Sequence, residues 1–209
     1  MSKFRKVLFY PSALVLIFVN TIPLLGVLFY AWDVTMIITL YWMESAVIGF
    51  FNIFKMKAIN SNNKFKPEIP FFIVHYSMFM FGHFLFIVSL NIFKPDFGEV
   101  GNQFEAFSIV LDYFSALAVA LFFMFLSHAI SFFYNFMDKK EFVKQNMAKQ
   151  MVAPYKRIFV MHMVLIFGSW SIVGKEYQYS IVAIAILVVL KTLFDLAAHV
   201  FEHRKNIFT

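Results

Sequence analysis

The sequence contains no cysteine and few charged residues, which make up 14% of its 209 positions. Without cysteine the chain has no disulfide, thiolate zinc site, iron–sulfur cluster, Cys-x-x-Cys-His haem attachment or cysteine nucleophile. It also lacks the Gly-x-Ser-x-Gly elbow, the P-loop and the Gly-x-Gly-x-x-Gly motif, so nothing points to a serine hydrolase or a nucleotide-binding loop. His, Asp and Glu remain the only strong candidate ligands for a metal.

What is present is apolar: 61% of the residues are hydrophobic and 21% are aromatic, with a mean hydropathy of +0.75. Soluble domains contain roughly 45–50% apolar residues. A soluble fold of this size has too little interior to bury so many large side chains, whereas lipid can surround them. The composition predicts an all-α integral membrane protein with a single transmembrane domain, residues 1–209.

Six stretches have the length needed to cross the hydrocarbon core, for which a helix needs about 20 mostly apolar residues. They are residues 7–32, 34–54, 69–93, 108–137, 158–173 and 179–203. We therefore predict a bundle of six transmembrane helices.

Basic residues are distributed unevenly between the predicted loops. With the N-terminus inside, the outer loops hold only Lys94 and Lys175, and nearly all other Lys and Arg fall on cytoplasmic segments. This asymmetry predicts a cell-membrane protein with both termini cytoplasmic. It also accounts for the net charge of +6 and the pI near 9.4 without a nucleic-acid partner.

The longest predicted inner connection, residues 138–157, is rich in lysine. Apolar Phe142, Val143, Met147 and Met151 recur there at roughly helical spacing. The pattern predicts an amphipathic helix on the inner membrane surface, ended by Pro154.

Ionisable side chains inside the predicted spans are costly unless they are paired, hydrated or metal-bound, so they indicate function. With a rise of about 1.5 Å per residue, several of them fall roughly 6–15 Å from the inner surface. These are Glu44, His75, His128, His162, Asp195 and His199. His83 and Lys191 are predicted to lie deeper, near the midplane.

Imidazoles and carboxylates from several helices at a similar depth favour a divalent metal centre in the cytoplasmic half of the bundle, with zinc as the expected metal. The candidate ligands are His75, His128, His162, Asp195, His199 and His203. A zinc-bound water, with Glu44 or Glu202 as general base, would support hydrolysis of a lipid-like substrate entering from the surrounding membrane lipids.

Three other interpretations fit the same residues. The histidines could ligate a haem in a redox protein. Glu44, Asp195 and Lys191 could carry protons or an ion in a transporter. The polar side chains could also be structural, with Glu44 paired to Lys191 and the histidines in hydrogen bonds between helices.

Several segments resemble a family of polytopic prokaryotic membrane proteins that bears only a domain-of-unknown-function label. They are Pro23–Phe29, Tyr41–Ser45 with Gly49–Asn52, Phe71–Tyr76, Ser127–Phe132 and Pro154–His162. The resemblance implies a multi-pass membrane protein and supplies no activity. The family pattern tends to have Asn after the Glu, where this chain has Ser45, so the resemblance does not carry a role for an amide over to this position.

Overall fold

The computed structural model describes residues 32–60, 65–92, 103–138 and 140–173, together with isolated positions within 23–30 and 188–193. The chain forms two compact units. One is residues 38–162, the central unit, and the other combines residues 1–37 with 163–209. The candidate functional residues from Glu44 to His162 lie within the central unit, whereas Lys191, which the structure also describes, belongs to the other unit.

The described residues are helical and contain no β-strand. The described residues include a π-helical segment, Ser131–Asp138, and a short 3-10 helix, Glu141–Lys144. The α-helices are α1 (Val34–Ile59), α2 (Glu68–Ile92), α3 (Gln103–Ala116), α4 (Ala118–Ile130), α5 (Met147–Val152) and α6 (Tyr155–Val173).

Three helical segments of the described chain are long and apolar enough to cross a membrane: α1, residues Glu68–Asn91 of α2, and Ala118–Asp138, which joins α4 to the π-helical segment. In α1, 67% of the most apolar stretch is buried, compared with 28% in α2 and 18% in Ala118–Asp138. A helix that is apolar on all sides is normally buried in the protein or surrounded by lipid. The described chain is therefore all-helical with three candidate membrane spans, of which α1 is the most enclosed.

The exposed apolar face of α2 illustrates this arrangement. Val74, Met78 and Phe81 are 69%, 62% and 62% exposed, and their spacing of four and three residues places them on one side of the helix. An exposed apolar stripe of this kind favours aggregation in water, whereas lipid chains can cover it.

Helices α1 and α2 run antiparallel, and a glycine lets them approach closely. The Trp42 Nε1–H donates to the Met80 carbonyl at 2.8 Å, and the Tyr76 hydroxyl donates to the Ser45 carbonyl at 2.8 Å. A Cβ atom on Gly49 would overlap the ring of Tyr76. Small residues at helix contacts are the usual means of close packing in membranes.

The connection between the π-helical segment and α6 packs into the bundle. Asn146 caps α5 by accepting from the backbone N–H groups of Ala148 and Lys149. Gln150, on the next turn, is 9% exposed and donates to the Asn52 side chain on α1 at 2.7 Å. Because Asn52 lies about 10 Å from the end of α1 at 1.5 Å per residue, α5 packs beside the helices rather than forming only a surface layer.

The predicted spans match the described helices closely in two cases. Residues 34–54 correspond to α1, and residues 69–93 correspond to α2. Predicted span 108–137 covers parts of α3, α4 and the π-helical segment, and 158–173 lies within α6. Most of spans 7–32 and 179–203 lies outside the described residues.

Candidate functional site

Polar side chains of the central unit gather where α1, α2 and α6 meet. Their hydrogen bonds join residues about 80 positions apart on α2 and α6. His75 on α2 pairs with Tyr155 on α6. Eight residues further along α2, His83 pairs with His162, which lies seven residues beyond Tyr155 on α6. Helices α2 and α6 therefore run in the same direction, with matched polar positions.

The two histidines His83 and His162 contact each other directly. The His83 Nε2 and His162 Nδ1 atoms are 3.1 Å apart, and the ring centres are 4.4 Å apart and nearly perpendicular. The His83 Nδ1 atom lies 2.6 Å from the carbonyl oxygen of Phe79, and the His162 Nδ1 atom lies 3.2 Å from that of Ile158.

These carbonyl groups fix the tautomers, because a carbonyl oxygen can only accept a hydrogen bond. Both Nδ1 atoms must therefore carry hydrogen. His83 then accepts at Nε2, and His162 donates from Nδ1 to both His83 and the Ile158 carbonyl, as a three-centre bond. The His162 Nε2 atom has a lone pair and makes no hydrogen bond to a described residue.

His75 forms a second polar pair closer to the start of both helices. Its Nδ1 atom lies 2.7 Å from the Tyr155 hydroxyl, and its ring is stacked on Phe71 at 5.1 Å. Tyr155 is the first residue of α6, directly after the turn that contains Pro154. The Pro154 break predicted from the sequence is thus confirmed, and it positions Tyr155 against His75.

Glu44 forms an ion pair with Arg157 of α6. The Arg157 Nη1 and Glu44 Oε1 atoms are 3.3 Å apart, with 14% of the Glu44 side chain and 37% of the Arg157 side chain exposed. The charge on a carboxylate inside the bundle is therefore compensated from the neighbouring helix. The role of Glu44 as a general base stays a prediction.

The predicted metal centre is wrong for the described part of the chain. No group of three or more His, Asp or Glu side chains there is arranged to hold a metal ion. His75 and His162 engage different partners, and His128 stacks on Phe51 with its ring centre 6.2 Å away. The other predicted ligands, Asp195, His199 and His203, and the predicted base Glu202 lie outside the described residues.

The physical reason is that the predicted ligands do not converge on one point, as the ligands of a metal ion must. The His75 Nδ1 atom contacts the Tyr155 hydroxyl, whereas His162 lies beside His83, two turns further along α2, and His128 stacks on Phe51. The described residues therefore give no support to a zinc centre or to the metal-dependent hydrolysis that depends on it.

The register between α2 and α6 also differs from the prediction. Spans that begin at residues 69 and 158 would place His75 level with residue 164, whereas the structure places it level with Tyr155. The difference of nine residues corresponds to roughly 13 Å along the helix axis. It is why His162 meets His83, which the sequence predicts to lie deeper than the other histidines.

We expect these tautomers to be directly visible. In protein labelled with ¹⁵N-histidine and reconstituted in lipid, solid-state NMR at high pH should show His83 and His162 both protonated at Nδ1 and unprotonated at Nε2. Assignment uses the His83→Gln and His162→Gln variants, each of which removes one set of signals. A protonated Nε2 on neutral His83 would contradict the hydrogen-bond pattern.

The described residues define a class: an all-helical protein with three candidate membrane spans and with hydrogen-bonded histidines between its helices. A family of unknown function, DUF6498, matches residues 5–207, and the chain belongs to this family. The resemblance to an uncharacterised family is thus confirmed. No curated protein and no solved structure matches the chain.

Proposed function

We propose that this protein is a cell-membrane protein of six transmembrane helices, with both termini in the cytoplasm, that carries protons through its bundle. The three apolar helical segments and the exposed stripe on α2 support insertion into membrane lipid. The distribution of Lys and Arg supports the orientation, since cytoplasmic loops carry the excess of basic residues.

The observation that carries the proposal is the direct hydrogen bond between His83 and His162. Histidine is the side chain that changes charge near neutral pH. A proton added to His162 at Nε2 leaves every hydrogen bond of the pair intact, because Nδ1 continues to donate. A proton added to His83 at Nε2 would instead direct two N–H groups at each other. The pair can therefore bind one proton, at His162 Nε2, without losing a hydrogen bond.

The test is proton flux into liposomes that contain purified protein and a trapped pH-sensitive dye, driven by a potassium diffusion potential. We expect His162→Gln to reduce protein-dependent flux on the order of 100-fold, since positioned proton-transfer groups contribute factors of this size. Glutamine keeps hydrogen-bonding capacity but cannot carry the proton.

His128→Gln is the matched control, because His128 is also half-buried but lies on α4 against Phe51. Its flux should equal that of the unmodified protein. If flux through folded His162→Gln protein is also unchanged, the proposal is wrong and the histidine pair is a structural link between helices.

A further inference from the structure

Four aromatic rings follow one another along α2 at intervals of four residues: Phe71, His75, Phe79 and His83. The centres of successive rings are 5.1, 5.0 and 6.4 Å apart. Because residues four apart lie on the same side of a helix, the rings form a continuous row. Within it, phenylalanines and protonatable histidines alternate.

Phe79 occupies the position between the two polar pairs. Its ring centre lies 6.4 Å from that of Tyr155 and 6.5 Å from that of His162, so it contacts both pairs on α6 as well as both histidines of its own helix. A benzene ring offers no group that can take up or release a proton. It therefore interrupts the polar row at a single position.

A proton cannot pass directly between the two pairs. His75 and His83 are two helical turns apart, about 12 Å along the axis at 1.5 Å per residue. Transfer between nitrogen atoms needs hydrogen-bond contact of about 3 Å or a connecting water. The Phe79 ring contacts both pairs and so lies between them, and apolar side chains in such a position exclude water until they move.

We propose that Phe79 is an apolar gate between two proton-binding sites, the His75–Tyr155 pair and the His83–His162 pair. This inference rests on the proposed function. When the ring moves aside, the N–H bond of the His75 imidazolium breaks as a water O–H bond forms, and an O–H bond of that water then breaks as the N–H bond at His162 Nε2 forms. One N–H bond is lost and one is gained in total, and the water is regenerated. In the proposed orientation His75 is the site nearer the cytoplasm.

The groups that face the two sites from the neighbouring helices set their charge balance. Tyr155 comes from α6, with its ring centre 5.8 Å from that of Tyr76 on α2, and the Glu44–Arg157 pair joins α1 to α6. The carboxylate and the guanidinium compensate each other. The proton-binding groups of the two proposed sites are therefore the imidazoles.

The experiment compares Phe79→Ala with Phe79→Leu and Phe81→Ala. Alanine removes the ring, leucine retains apolar bulk, and Phe81 is a phenylalanine on the exposed side of the same helix. We expect Phe79→Ala to raise proton flux about tenfold, because a row of water molecules can then occupy the space of the apolar ring. Phe79→Leu should raise the flux less than Phe79→Ala does, and Phe81→Ala should match the unmodified protein.

A second readout does not depend on transport. Diethylpyrocarbonate modifies imidazoles that water and reagent reach, and mass spectrometry locates the modified residue. We expect His83 and His162 to be protected in the unmodified protein and modified in Phe79→Ala, with His75 reacting equally in both. Should Phe79→Ala fail to fold, Phe79→Val is used in both measurements.

The outcomes separate the two proposals. Flux that depends on His162 but does not increase in Phe79→Ala, together with unchanged modification of His83 and His162, overturns the gate and leaves the proposed function standing. Flux that is independent of His162 overturns the proposed function. Increased modification in Phe79→Ala would still establish that the ring keeps water from the histidine pair.

Discussion

Replacing Gly49 by alanine is expected to lower the free energy of unfolding by about 2–4 kcal/mol, with overpacking contributing about 1–3 kcal/mol and a lost hydrogen bond about 1 kcal/mol. A Cβ atom at this position would overlap the ring of Tyr76 on α2. That ring is 5% exposed and cannot move aside without displacing its neighbours. Its hydroxyl would also lose the hydrogen bond to the Ser45 carbonyl.

Gly82→Ala is the matched control. Gly82 is also a helical glycine, on α2, but nothing lies within 4 Å of the position that its Cβ would occupy. There alanine should be neutral or stabilise the protein by about 0.5–1 kcal/mol, because glycine costs conformational entropy in a helix.

Equilibrium unfolding in mixed dodecylmaltoside and SDS micelles, followed by far-ultraviolet circular dichroism, measures both variants against the unmodified protein. Gly49→Ala should lower the free energy of unfolding, whereas Gly82→Ala should leave it unchanged or raise it. The two variants should therefore differ in this free energy by about 2 kcal/mol or more. Equal stabilities for Gly49→Ala and Gly82→Ala would show that α1 and α2 do not pack as closely as described.

The sequence predicts the helices well because a transmembrane length of apolar residues is a strong signal. Predicted spans 34–54 and 69–93 correspond to Val34–Ile59 and Glu68–Ile92, with differences confined to the ends. Hydropathy does not reveal the change at Leu117, where α3 ends and α4 begins, because that residue is as apolar as its surroundings. The π-helical segment after Ile130 is equally invisible to hydropathy.

The site is harder to predict because it depends on the register between helices. The predicted depths correctly separate His75 from His83, and each pairs with a different residue of α6. The predicted depths assume that every span begins at the same plane. In the structure α5 packs against α1 through Gln150, and α6, which follows α5, is shifted along α2 relative to the predicted register. His83 is consequently missing from the predicted site.

The partner of each imidazole is the second quantity that a sequence does not contain. Residue types alone favour a metal, since imidazoles at similar depth are what a zinc centre requires. In the structure His75 contacts Tyr155, His162 contacts His83 and His128 stacks on Phe51, so these imidazoles do not converge on one ion. Arg157 is likewise predicted to be a loop charge, although it lies on the first turn of α6 and contacts Glu44.

Arg157→Met is expected to reduce the free energy of unfolding by about 2 kcal/mol, below the 3–5 kcal/mol of a fully buried pair because Arg157 is 37% exposed. Methionine keeps most of the length of the side chain and removes its charge, which leaves the less exposed Glu44 carboxylate without this partner. Glu44→Gln alone should cost less, because the arginine that remains is closer to water.

A double-mutant cycle isolates the pair from the packing of each side chain. The double variant Glu44→Gln/Arg157→Met should be more stable than the sum of the single changes predicts, with a coupling energy of about 1–2 kcal/mol. Lys156→Met is the control for loss of a neighbouring exposed positive charge, and its effect should stay within about 0.5 kcal/mol. Additive single effects would mean that the Glu44–Arg157 contact does not stabilise the bundle, and that the charge of Glu44 is compensated by other groups.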